Sequence, residues 1–228
     1  MSSSSIWFQK GIGPGTIITL DQPVPSHWQI MKKLNEYNYQ LDDDDLRFVP
    51  YRGTEMDDAD TRASQAMTLI PQELIAYQDL TKKESSNTPK LLGYSISTQD
   101  TSGPVPGGFA VWLVWEMVPG LRLGSKNGPD AFWALDADER EEIRIAFVDA
   151  LQKMKGIGCL SDTAALTSLV WHRESRTLYF IGFRDRNAGK FDKLRVDARW
   201  VARYGLAIPN SNAWRKEGWN GDTSDWKW

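Results

Sequence analysis

An α+β fold is predicted by three features of this sequence. Short β-like runs crowd the stretch before residue 117, helical periodicity dominates from residue 118 onward, and Pro119-Gly120 divides the two. Strands and helices that are segregated along a chain, rather than alternating, belong to α+β architectures. The expected organisation is a strand-rich segment over 1–117 and a mainly helical segment over 118–228, the latter with a β-hairpin and a Trp-rich tail.

The first predicted strands are Ile6–Gln9 and Thr16–Leu20, joined through Gly11-Ile-Gly-Pro-Gly15, which reads as a hairpin turn. Pro14 removes one N–H from that turn and argues against a phosphate-cradling loop. Trp28–Tyr37 is a predicted short helix. Asp42–Asp45 is expected to be solvated loop, because four like charges repel. Leu46–Tyr51 is a predicted strand whose Pro50 belongs at an edge. Residues 57–82 are expected to be helical: Ala66, Leu69, Ile70, Leu74, Tyr77 and Leu80 recur at helical spacing, and Pro71 marks a kink or a fresh start. Leu91–Ser97 and Phe109–Met117 are predicted strands around a Gly/Pro-rich turn, the second apolar enough to be buried.

In the second segment Asp136 is a candidate helix cap, and Glu139, three residues on, completes a capping box. Ile143, Ala146, Phe147, Ala150, Leu151 and Met154 form one apolar stripe, with Gly156 and Gly158 ending the helix. Leu169–Trp171 and Thr177–Phe183 read as a hairpin, and Val196–Leu206 as the last helix. Trp214–Trp228 holds four Trp among Gly, Asn, Asp and Ser. That tail either folds back over its own core or presents a contact patch.

Composition narrows the function classes. At 228 residues the chain is long enough to bury a sizeable core. A net charge of −3 without a basic run carries no nucleic-acid footprint. No stretch of about 20 apolar residues exists to span a membrane, and Met1–Ser5 lacks a signal-type apolar run. The single cysteine, Cys159, precludes an intrachain disulfide and points to a reducing, cytoplasmic compartment. Against 11 Trp there are two His, His27 and His172. Few groups therefore titrate near neutrality, while large apolar faces, each with one N–H donor, are plentiful. That balance suits core packing or an aromatic pocket for an apolar ligand.

Several motifs follow one another in a recognisable order over roughly residues 65–207. Gln72-Glu-Leu-Ile-Ala-Tyr77 precedes Pro89-Lys-Leu-Leu-Gly93. An apolar strand then ends in Trp115-Glu-Met-Val-Pro-Gly-Leu-Arg-Leu123. A long helix leads to Gly158-Cys-Leu-Ser-Asp162, and then Leu169-Val-Trp171 and Leu178-Tyr-Phe-Ile-Gly-Phe183 follow. This order resembles the kinase-like, aminoglycoside-phosphotransferase-like fold, with its helical Glu, its hinge, its catalytic loop and its closing Ile-Asp-Phe hairpin. Trp200-Val-Ala-Arg-Tyr-Gly-Leu-Ala207 is similar to the helix that ends many short fungal members. The resemblance implies a two-lobed protein with a reduced, mainly helical C-terminal lobe.

The departures from that pattern bear on activity. Phosphoryl transfer needs metal ions, a Lys on the phosphates and a base at the acceptor hydroxyl. The metal-binding Asp falls at Gly182, the metal-binding Asn near Thr167 or Ser168, and the His of the catalytic loop near Leu160. Asp162 matches the base. Arg52 stands where the resemblance implies a Lys and is positioned to pair with Glu73, although Arg does not replace Lys simply. Asp185 is an alternative carboxylate for a metal.

The resulting expectation is a repurposed enzyme of fungal specialised metabolism. It takes an apolar small molecule between its lobes and catalyses a cofactor-independent cyclisation such as a Diels–Alder reaction, by holding a reactive conformer. Asp162, Glu73 and Arg52 are the candidate catalytic residues; Trp115, Glu116, Met117, Ser168 and Phe183 are the candidate substrate contacts. Two other readings stay open: a residual ATP-dependent phosphotransferase resting on Asp162 and Glu73, and a catalytically dead pseudokinase scaffold that binds through its Trp-rich tail.

Overall fold

The structure, a computed structural model, describes residues 12–32, 34, 39–41, 48–50, 59–64, 66, 70–103, 105–125, 128–161, 164–183, 186–188, 191 and 195–228. The expected strand Ile6–Gln9, the acidic run Asp42–Asp45, Arg52, Asp162 and Asp185 lie outside the described residues. The chain divides into two compact units, Met1–Leu69 with Gly93–Val114 and Ile70–Leu92 with Trp115–Trp228.

The first unit is built from hairpins. Strand β1 (Ile17–Leu20) pairs antiparallel with β2 (Ser26–Gln29), and the short β3 (Tyr39–Leu41) pairs with β4 (Phe48–Pro50). Helix α1 (Ala59–Ser64) follows. The Gly-rich segment before β1 is a turn: Gly13 C=O accepts from Thr16 N–H at 3.0 Å. Trp28, predicted to be helical, stands in β2 opposite Ile18, its Nε1 donating to Ser26 Oγ at 3.0 Å. An aromatic facing a β-branched residue across a ladder is a favourable pair, and that non-local pairing overrides the local helical spacing.

Helix α2 (Gln72–Lys82), which opens the second unit, starts afresh at Pro71 and buries Leu74, Ala76, Tyr77 and Leu80. It hands over to β5 (Leu91–Thr98), which forms a two-stranded sheet with β6 (Phe109–Trp115). Every residue of β6 is partly or well exposed, so the expectation of a buried strand reaching Met117 is corrected. A two-stranded ribbon cannot close both faces of its members, and apolar composition alone does not supply the missing layers.

The core of the second unit is laid down on helix α3 (Ala137–Ile157). Asp136 accepts from Glu139 N–H at 2.8 Å, as a cap should. The other half of the predicted capping box is absent: the Glu139 carboxylate instead accepts from Trp171 Nε1 at 3.1 Å and from Arg173 Nε at 2.7 Å. Ile143, Phe147, Ala150, Leu151 and Met154 are buried on one face, each larger side chain contributing roughly 1.5–3 kcal/mol. Gly158, not Gly156, terminates the helix, in the left-handed conformation.

After β7 (Leu121–Arg122), the strands packing against α3 come in two small sheets. One is β10 (Thr177–Phe180), β9 (Leu169–His172) and β7; the other pairs β8 (Cys159–Ser161) with β11 (Arg186–Ala188). Helix α4 (Ala198–Arg203), capped by Asp197, is shorter than predicted. Beyond it the Trp-rich tail folds back on this unit. Ile208 and Lys227 exchange backbone hydrogen bonds at 2.9 Å, and Trp226 is buried with Trp219 stacked on it at 5.5 Å. The whole is thus mixed α+β with small antiparallel sheets, and among the described residues no helix is long and apolar enough to cross a membrane.

Candidate functional site

Three of the residues that sequence reasoning singled out, Trp115, Ser168 and Phe183, come together in the second unit around one glycine. Gly182 follows β10 with φ of 79°. Its N–H donates to the Tyr77 hydroxyl at 3.3 Å, and its C=O accepts from Ser161 Oγ at 3.2 Å. One residue earlier, Ile181 N–H donates to the Ser168 C=O at 2.8 Å. The turn is therefore held on three sides, by α2, by β8 and by the segment before β9. A residue with a Cβ adopts that φ at a cost of about 1–2 kcal/mol, so the position that the kinase resemblance gives to a metal-binding Asp is here shaped for Gly.

The rings form a ledge beside that turn. Phe183, buried, meets Tyr77 edge-on at 5.5 Å. Trp115 stacks on the same Tyr77 ring at 5.4 Å, with an interplanar angle of 12°. Tyr77 is closed off from solvent, whereas Trp115 is 41% exposed, so the indole has one face against Tyr77 and an outer side open. Offset stacks and edge-on pairs of this spacing are the favoured aromatic geometries. Met117, two residues on, is almost fully exposed.

Burial pushes the Tyr77 phenol well above its ordinary range, and the Glu73 carboxylate one helical turn earlier adds to the shift. Tyr77 is therefore a neutral phenol that accepts from Gly182 and keeps its own proton to donate. Glu73 is half-buried in the first turn of α2, where the positive end of the helix dipole favours a carboxylate.

Of the predicted site residues, Trp115, Phe183 and Ser168 gather about Gly182, and Glu73 reaches the group through Tyr77. Glu116 and Met117 do not join it. Glu116 is exposed and spends its backbone on Lys90, with N–H to C=O at 2.9 Å, which ties the end of β6 to the start of β5. Asp162 and Arg52 lie outside the described residues. Tyr77 and Ser161 were missed as site residues. Tyr77 stood in the sequence as one position of a helical stripe and as the end of the Gln72–Tyr77 motif, yet its spacing of four from Glu73 put both on one face.

Among the described residues no three of His, Cys, Asp and Glu come together as a metal-binding group. The arrangement offers an aromatic platform, one neutral phenol and two hydroxyls, with few groups to carry protons. No known protein family matches the chain, and no curated protein matches it.

Proposed function

We propose that this chain is a kinase-like fold in which phosphotransfer has given way to the binding of an apolar small molecule on the Tyr77–Trp115–Phe183 ledge. The observation that carries this reading is the Trp115 indole, stacked on a buried Tyr while the residue itself stays 41% exposed. Apolar surfaces with a few placed polar groups are the usual small-molecule sites. Gly182 at φ of 79° supports the loss of phosphotransfer, since a metal-binding carboxylate has no place in that conformation without strain.

The chemistry that suits such a site is a cofactor-independent cyclisation of Diels–Alder type. A diene and an alkene on one polyene chain form two new carbon–carbon bonds as three π bonds become one, with no proton or electron left over. Holding the reactive conformer against the indole supplies the rate, by the same entropy saving that gives intramolecular reactions their high effective molarity.

Two thermal melts test the reading. Millimolar ATP with magnesium should leave the melting temperature unchanged; a ligand at one hundred times its Kd adds roughly 2.7 kcal/mol, so a magnesium-dependent rise restores the phosphotransferase. A conjugated tetraene fatty acid, whose absorption overlaps Trp emission, should raise the melting temperature and quench indole fluorescence. Trp115→Ala should abolish both effects. Undiminished binding by that variant removes the ledge from consideration.

A further inference from the structure

The first unit contains a groove of about 370 Å³ whose walls are unusual. One face of a sheet would contribute alternate residues, because side chains alternate along a strand. Here consecutive residues line it, Thr16 with 17–19 of β1 and 95–97 of β5, with Asp21 and Trp112 beside them. The walls are therefore strand edges. β1 pairs only with β2, and β5 only with β6, among the described residues.

The two edges meet at one point and then part. Gln22 and Tyr94 exchange both backbone hydrogen bonds, at 3.1 and 2.9 Å. Beside that bridge a Cβ on Gly93 would stand 2.7 Å from Leu20 Cδ1, so the strands touch there. Antiparallel ladders alternate sides residue by residue. Thr16 C=O accepts from Ile30 N–H on the β2 side, so Ile17 and Thr19 turn their N–H and C=O to the opposite edge. Tyr94 faces Gln22, so Ile96, two residues on, turns the same way. Main-chain donors and acceptors thus look into the groove from both walls.

We infer that this groove takes an extended segment of a partner polypeptide, inserted as a strand between β1 and β5. An extended residue occupies on the order of 160 Å³, from a rise of about 3.3 Å, a strand spacing of about 4.8 Å and a thickness of about 10 Å, so about two residues of strand fit within the groove and the rest extend past it. Strand addition draws affinity from the main chain and specificity from alternate side chains. Ile17 is 66% and Ile96 46% exposed, which gives the incoming strand apolar neighbours. Among the described residues, Asp21 is the one charged residue lining the groove, and it favours a basic side chain. The partner segment is therefore extended, with apolar and basic residues in alternation. This groove is separate from the aromatic ledge, and its test is independent of that reading.

The experiment is a fluorescence-anisotropy titration of the full chain with a labelled hexapeptide of alternating lysine and valine. Two further copies carry N-methyl groups on one or the other alternate set of residues, and a fourth peptide replaces lysine by glutamate. A strand held between two edges uses both sets, so each methylated copy should bind about tenfold more weakly, as expected from losing about one main-chain hydrogen bond within the groove. Asp21→Lys, a change at an exposed position, should weaken the lysine peptide about three- to tenfold while the circular dichroism and melt stay unchanged; the glutamate peptide should reverse that preference. No saturable binding of the lysine peptide up to about 1 mM, or binding of both methylated copies as tight as that of the unmethylated peptide, overturns the proposal. Sensitivity to one methylated set alone also overturns it, in favour of addition to a single outer edge. Indifference to Asp21→Lys removes the basic partner.

Discussion

Gly182 and Glu139 carry two different kinds of constraint. At Gly182 the cost of substitution is conformational, because a Cβ there would find only Ser168 Oγ, at 3.9 Å. Gly182→Ala should therefore destabilise by about 1–2 kcal/mol through its positive φ alone, read as a lower urea midpoint with an unchanged slope. Gly182→Asp should lose stability likewise without creating magnesium-dependent ATP binding. At Glu139 the constraint is electrostatic. The Arg173 guanidinium holds its carboxyl below the usual range, Trp171 N–H helps, and burial opposes. A depressed folded-state pKa means the stabilisation is present above the unfolded value of about 4.3 and is lost as pH falls through the folded value. Glu139→Leu should cost about 1–3 kcal/mol at pH 7 by stranding the Trp171 N–H. It should also flatten the acid limb of the stability profile below about pH 5; an unaltered limb in urea titrations at several pH values removes Glu139 from that role.

Helix α3 and the hairpin β1–β2 mark the two extremes of what an element's own residues decide. The stripe from Ile143 to Met154 faces a continuous core, so Phe147, in contact with the rings of Phe180 and Tyr204 at 5.7 and 4.9 Å, should cost about 3–5 kcal/mol on truncation to Ala. Calorimetric or urea unfolding reads that loss directly. The Asp136 cap was equally legible, because a carboxylate three residues before an N–H is a local device. The carboxylate of Glu139 was not: Trp171 and Arg173 lie 32 and 34 residues away, and no window of sequence brings them together. Trp28 failed for the same reason, since its partner Ile18 belongs to another strand. Pro71 was readable as a kink or a fresh start, and the helix does begin there.

On the scale of the whole molecule, the tail decides more of the second unit than its irregular composition suggested. Arg144 lies between the rings of Phe132 and Trp228, at 5.6 and 5.4 Å, and donates to Leu206 C=O at 2.9 Å. Trp226 closes over Trp214 and Trp219. Burying one Trp withdraws roughly 150–250 Å², worth about 4–6 kcal/mol at 25 cal/mol per Å² as an upper bound. Removal of residues 213–228 should lower the melting temperature by at most about 8–24 °C, given 2–4 °C per kcal/mol for a chain of this size. A truncated chain that melts like the full one leaves the tail free to serve as a contact patch.

The sequence by itself determined the α+β class, the extent and buried face of α3, its cap, the β9–β10 hairpin and the break before α2. Each of these depends on residues within a few positions of one another, where periodicity, capping and turn chemistry act. Only the tertiary structure decided that Tyr77, Trp115 and Phe183 share a ledge, that Gly182 is gripped by Tyr77 and Ser161, and that the tail covers the second unit. Those contacts join segments up to 105 residues apart, and they are selected by the shape of the space left between packed elements, which no local pattern encodes.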